Sequence, residues 1–88
     1  MPKKPDLPPI DLVNESIGKR IARLRKKLKL TQTDLAKKIG IKRVMVSDYE
    51  LGRARIYDEM VVRFAIALEV STDYLLGLKD EPDQISRK

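Results

Sequence analysis

Two short helical patterns separated by only about three residues constrain the fold of this chain more than any other feature. The first pattern begins at Thr31, whose hydroxyl can accept the backbone N–H of Asp34, and it ends at Gly40. The second covers residues 42–51 and is closed by Gly52. The apolar positions of the first pattern are Leu35, Ala36 and Ile39. This spacing predicts a helix-turn-helix.

Three further helices are predicted around this pair. The first begins near residue 14, capped by Asn14 or Ser16, and stops near residues 28–29, with Lys19, Arg20, Arg23, Lys26 and Lys27 outside its apolar face. That face consists of Ile17, Ile21, Leu24 and Leu28. Residues 58–68 form the fourth helix, with Val61, Val62, Ala65 and Leu68 on its apolar face and Phe64 beside them, and residues 71–77 contain the fifth. The sequence therefore predicts an all-α fold.

The length of 88 residues predicts one domain with short flexible termini. We divide the chain into a Pro-rich N-terminal arm (residues 1–13), a helical domain (14–78) and a C-terminal tail (79–88). The arm also contains the apolar residues Leu7, Ile10, Leu12 and Val13. Two interpretations of it stay open: a frayed terminus, or a segment that lies on the domain or on a second copy.

The chain contains no Cys and no His, which excludes disulfides, thiolate nucleophiles, imidazole bases and ordinary zinc sites. Carboxylate pairs such as Asp58/Glu59 and Asp80/Glu81 are the only candidates for acid–base chemistry, and a small helical domain has little room for the cleft they would need. We expect no enzyme activity, no metal and no cofactor. No apolar run exceeds five residues, so we expect a cytoplasmic protein without a membrane span.

Positive charge is concentrated in the middle of the chain. Residues 16–57 carry thirteen Lys and Arg against three Asp and Glu, whereas both flanking segments are mildly acidic. A basic segment of this kind is typical of a nucleic-acid-binding surface, and the alternative is an ordinary solvated helix face.

Several spaced motifs resemble the Cro/repressor-type (lambda-repressor-like, XRE) helix-turn-helix family. They are LTQTDLA at residues 30–36, GI at 40–41, VSDYELGR at 46–53, FAIALEVS at 64–71 and YLLG at 74–77. The resemblance implies a five-helix lambda-repressor-like DNA-binding domain that regulates transcription, usually as a dimer. In this family the third helix enters the major groove and the second crosses the phosphate backbone.

The resemblance implies a set of DNA-binding residues: Gln32, Lys42, Arg43, Val44, Ser47, Asp48, Arg53 and Arg55. Lys42 and Arg43 can donate to guanine, and Arg43 can do so with both arms of its guanidinium, which makes it the main candidate for base specificity. Val44 is predicted to meet a thymine methyl, with burial as the alternative. Gln32 is predicted to bind a phosphate.

Of the remaining four positions, Ser47 matches an outward position of the family's third helix, and the other three have two interpretations each. Asp48 accepts from a cytosine amino group or pairs with a neighbouring cation such as Arg43. Arg53 and Arg55 approach the DNA backbone or are merely solvated.

Arg25 and Glu50 are predicted to form a structural ion pair, because the family commonly pairs an Arg and a Glu at these two positions. Glu69 departs from the family, which often has Gly after the fourth helix. A dimer interface is predicted on the fifth helix, around Tyr74, Leu75 and Leu78.

These observations favour a sequence-specific double-stranded DNA-binding regulator, most simply a repressor, that acts as a homodimer on an operator. The alternative is the antitoxin of a toxin–antitoxin module that also represses its own promoter, with a toxin or an antagonist as protein partner. A third interpretation makes the basic segment 19–29 a helix that binds nucleic acid or a membrane surface without sequence preference, but this segment also carries a regular core stripe.

Overall fold

A computed structural model describes residues 16–78, and within this range the chain forms five helices. Their bounds are α1 Ile17–Lys27, α2 Gln32–Ile39, α3 Arg43–Glu50, α4 Asp58–Leu68 and α5 Thr72–Leu75. The residues assigned to the arm and to the tail lie outside the described range, as does Asn14. The all-α fold predicted from the sequence is confirmed.

Side-chain caps fix where three of the helices begin. The hydroxyl oxygens of Ser16 and Ser71 accept backbone N–H groups in the first turns of α1 and α5. Thr31 and Asp34 form a reciprocal capping box at the start of α2, with donor–acceptor distances of 3.0 and 2.9 Å. The predicted bond from the backbone N–H of Asp34 to the Thr31 hydroxyl is therefore confirmed, and the structure adds the reciprocal bond from the Thr31 N–H to the Asp34 carboxylate.

The turn of the helix-turn-helix is short because Gly40 adopts the left-handed conformation, with φ of 89°. Lys42 then caps α3 with its backbone in an extended conformation, so three residues separate the two helices. Glu69 also adopts the left-handed conformation after α4, with φ of 63° and ψ of 40°. This chain accordingly places a residue with a Cβ at a position that favours glycine.

All five helices contribute to one core. Its largest fully buried side chains are Phe64, Ile21, Leu35, Leu75 and Val46. Tyr49 of α3 packs edge-to-face against Phe64 of α4, with ring centroids 5.6 Å apart. Helix α3 is thus anchored to α4 through an aromatic pair in the core.

Close packing of α1 on α3 depends on Gly18. A Cβ added at this position would lie 2.7 Å from the carbonyl oxygen of Glu50, and it would also contact the carbonyl oxygen of Tyr49. The absence of a side chain therefore lets the first turn of α1 lie directly against the C-terminal end of α3.

Three burial predictions are wrong. Leu28 was placed on the inward stripe, but α1 ends at Lys27 and the chain turns away, which leaves Leu28 exposed. Val62 is also exposed, because the buried face of α4 extends to Ala67 on the side of Phe64. Arg20 was placed on the polar face, yet it is only 3% exposed and its guanidinium donates to the backbone carbonyl of Tyr74 at 3.1 Å.

Candidate nucleic-acid interface

The outer face of α3 begins with side chains that project into solvent. Lys42, Arg43 and Val44 are exposed, and Ser47 and Asp48 follow one turn later with partial exposure. Residues 43, 44, 47 and 48 lie on one face of the helix because their spacing is three to four residues. Val44 is 49% exposed, so the alternative that it is buried is wrong.

Gln32 at the start of α2 links this face to the interior. Its amide nitrogen donates to Oε1 of Glu50 at 2.9 Å, and its amide oxygen accepts from the guanidinium of Arg43 at 3.2 Å. The orientation of the Gln32 amide is therefore fixed on both sides. Neither bond is predicted from the sequence, since the residues joined lie 18 and 11 positions apart.

Arg25 and Glu50 form the predicted ion pair. Nε of Arg25 donates to Oε2 of Glu50 at 2.7 Å, and a second guanidinium nitrogen donates to Oε1 at 3.1 Å. A third bond runs from Arg25 to the carbonyl oxygen of Leu30 at 2.9 Å. The two side chains are only 10% and 6% exposed, so this pair belongs to the packed interior.

Together these bonds form a chain of four side chains: Arg43, Gln32, Glu50 and Arg25. It begins at the exposed first turn of α3, passes through the start of α2 and ends in α1. Through these bonds the exposed first turn of α3 is connected to the packed interior.

The local partner of Asp48 is not Arg43, the neighbouring cation suggested by the sequence. Arg43 donates to Gln32, whereas Oδ1 of Asp48 lies 3.9 Å from a guanidinium nitrogen of Arg53. The backbone carbonyl of Asp48 also accepts the N–H of Arg53 at 2.8 Å. The cation that pairs with Asp48 is therefore Arg53 in the loop after α3. Arg55 lies in the same loop and is exposed.

The N-terminus of α2 has an electrostatic feature of its own. The backbone N–H and the hydroxyl of Thr31 hold the pKa of the Asp34 carboxyl below its ordinary value of 3.8. A carboxylate at this position also interacts favourably with the helix dipole. Asp34 therefore stays ionised in the folded domain at all ordinary pH values.

The described residues contain no cluster of three or more acidic, His or Cys side chains that would suit a metal ion. None of the helices in the described range is both long and apolar enough to cross a membrane. What the geometry does offer is a helix whose exposed first turn carries the cations Lys42 and Arg43 and which packs against a second helix. Such an element is suited to insertion into the major groove of DNA.

Comparison with known proteins identifies relatives of the whole helical region. A family model described as helix-turn-helix matches residues 21–75. The uncharacterised HTH-type transcriptional regulator YobD of Bacillus subtilis (strain 168) is 41% identical over 70 residues, which are 78% of this chain and 62% of the relative. The repressor protein C2 of Salmonella phage P22 is 38% identical over 60 residues, which are 68% of this chain and 28% of the relative.

The same phage repressor is also similar in structure. The crystal structure of the P22 c2 repressor in complex with a synthetic operator superposes with a TM-score of 0.69 and 35% identity, covering 74% of this chain and 98% of that chain. The chain thus spans less than two thirds of the length of the curated relatives YobD and C2, whereas it matches nearly all of that operator-binding chain.

Proposed function

Because the chain belongs to the Cro/repressor-type helix-turn-helix family, we propose that it is a transcription regulator that binds double-stranded operator DNA through α3. In this proposal α3 lies in the major groove, and the start of α2 crosses the phosphate backbone. The single observation that carries the proposal is the position of Arg43, exposed at the first turn of α3 and held by Gln32. Its similarity to a transcriptional regulator of Bacillus subtilis and to a phage repressor, rather than to enzymes, supports it.

Each predicted contact then has a defined role. Arg43 and Lys42 donate to guanine, and Val44 packs on a thymine methyl, so these residues read bases. Gln32 binds a phosphate through its amide nitrogen, which it must share with Glu50. Arg53 and Arg55 contribute backbone contacts without sequence preference. Ser47 and Asp48 are the other candidates for contacts to bases.

Repression rather than activation is the simplest mode of action, because a domain bound over a promoter excludes other proteins from it. We propose that a homodimer binds, since one domain contacts too few base pairs for tight operator binding. Tyr74 and Leu75 are buried and make no part of such an interface, whereas Leu78 is exposed. Of the three interface residues predicted above, Leu78 therefore stays the candidate. A toxin or antagonist as a protein partner stays a prediction, as does a cytoplasmic location.

The experiment that tests this function is selection from a random duplex-DNA library with the purified full chain. It is performed near physiological salt, because binding without sequence preference is weak under those conditions. We expect enrichment of a palindrome whose half-sites lie about 34 Å, one helical turn, apart. Guanine at matching positions of both half-sites is expected if Arg43 reads the base.

A matched selection with Arg43→Ala identifies the reader. The variant is expected to enrich sites that have lost the preference at one position of each half-site and kept it elsewhere. Enrichment of no sequence by the folded protein would contradict the proposal and favour the antitoxin interpretation. The next measurement in that case is isolation of the bound protein partner.

A further inference from the structure

An apolar groove lies beside the first turn of α1. Its volume is about 480 Å³, and its lining includes Ile17, Ala54, Ile56, Leu75 and Leu76. Leu76 is 41% exposed there, and Ile17 and Ile56 are only partly buried. The groove is formed by three separate parts of the chain, namely α1, the loop after α3 and α5. It is therefore a built feature of the fold that leaves aliphatic side chains open to water.

We propose that this groove binds residues 10–13 of the same chain, with Ile10 and Leu12 inserted between α1 and α5. Ser16, the first residue of the described range, itself lines the groove, so the point to which residues 10–13 are tethered lies at the groove. Leu12 lies four residues before Ser16, and four extended residues reach up to about 14 Å. Leu12 thus reaches the groove with almost no loop to close.

The sequence of the segment fits an apolar groove with one cationic edge. In an extended conformation Ile10 and Leu12 point to the same side, and Asp11 points to the other. Arg55 lines the groove and is exposed, so in the proposed complex its guanidinium extends past the groove to the solvent side, where it would meet the outward-pointing Asp11. Proximity and charge together favour this occupant of the groove. The proposal stands on these features alone and does not depend on DNA binding.

Engineered cysteines provide the first test, since the natural chain has none. The full-length variant Leu12→Cys/Leu76→Cys places one thiol in the segment and one in the groove. The control variant Leu12→Cys/Lys19→Cys places the second thiol on α1, exposed and outside the groove lining. Residue 19 is much nearer to residue 12 along the chain, so an undocked segment would form the control disulfide at least as fast.

We expect the groove pair to form an intramolecular disulfide at least about tenfold faster than the control pair under mild oxidation. The rate is measured by mass spectrometry of dilute protein, and the product is separated on a non-reducing gel. Equal rates, or a faster control, would overturn the proposal. A disulfide that forms only between two chains would also overturn it and would assign the groove to a second copy.

Thermal stability gives an independent readout. In the full chain Leu12→Asp is expected to lower the Tm by about 4 °C or more, because a carboxylate replaces an apolar side chain inside the groove. The matched control Leu7→Asp makes the same change outside the proposed contact and is expected to leave the Tm unchanged. If both variants melt at the temperature of the natural chain, residues 10–13 do not bind the groove.

Discussion

Arg25 and Glu50 are joined by two hydrogen bonds of 2.7 and 3.1 Å, although 25 positions separate them in the chain. The pair connects α1 to the last residue of α3, and the same carboxylate accepts from Gln32. A single acidic side chain therefore holds three helices of the helix-turn-helix region in register.

We expect Glu50→Ala to lower the free energy of unfolding by about 3–5 kcal/mol, because it leaves the guanidinium of Arg25 buried without its carboxylate. Chemical denaturation of the two proteins measures the difference. Glu59→Ala is the matched control: it removes the exposed pair with Arg63 and is expected to cost less than about 1 kcal/mol. Similar costs for the two variants would contradict the structural role of Glu50.

Gly18→Ala is expected to destabilise the domain by about 1–3 kcal/mol, opposite in sign to the usual effect of this substitution in a helix. Alanine ordinarily favours a helix by about 1 kcal/mol over glycine. Here its methyl group would lie 2.7 Å from the carbonyl oxygen of Glu50 and force α1 away from α3. A Tm above that of the natural chain would show that the contact is not as close as described.

Glu69→Gly is expected to stabilise the domain by about 1 kcal/mol, because glycine adopts φ of 63° without the strain caused by a Cβ. Thermal unfolding followed by circular dichroism measures the change. Glu69→Ala serves as the control, since it removes the charge but keeps the Cβ, and it is not expected to raise the Tm. If alanine stabilises as much as glycine, the effect belongs to the charge.

The pKa of Asp34 predicts how its contribution depends on pH. A carboxyl whose pKa is lower in the folded state stabilises that state above its ordinary pKa of 3.8, and the contribution disappears as pH falls through the folded-state pKa. We therefore expect Asp34→Asn to melt below the natural chain at pH 7 and at a similar temperature near pH 2. A difference in Tm that is constant across this range would exclude the charge as its cause.

Arg43→Ala and Arg55→Ala are expected to weaken DNA binding in different ways. Loss of Arg43 removes discrimination of about 1–3 kcal/mol at one base pair of each half-site. Loss of Arg55 weakens all sequences alike and reduces the slope of log K against log salt by roughly one per bound domain. Binding isotherms on matched and mismatched duplexes at several salt concentrations distinguish the two. Identical behaviour of both variants would remove Arg43 from base readout.

The parts of this structure that could be predicted from sequence are those encoded locally. The capping box of Thr31 and Asp34 is a pattern of four residues, and Gly40 marks the turn that follows α2. The five helices and their order follow from such signals and from apolar spacing. The pair of Arg25 and Glu50 was available only through the family resemblance, because no local pattern joins residues so far apart.

The rest depends on tertiary contacts between distant residues. Arg20 and Arg25 lie on opposite edges of the same apolar stripe, and a helical wheel cannot tell whether either has a buried partner. Arg20 finds one in Tyr74, 54 positions later. The two hydrogen bonds of Gln32 cannot be predicted from the sequence for the same reason, since its side chain bonds both to the exposed Arg43 and to the buried side chain of Glu50.

The two sides of α3 have separate roles, and this determines which of its residues can diverge in sequence. Val46, Tyr49 and Glu50 hold the helix in the core, whereas Arg43, Val44 and Ser47 make little contribution to that core. Residues on the outer side of α3 can be substituted without a penalty in folding, apart from substitutions that disturb Gln32. A few mutations can therefore change the surface that α3 presents to solvent on an unchanged scaffold, and Gln32 lies between the residues that are free to vary and those that are not.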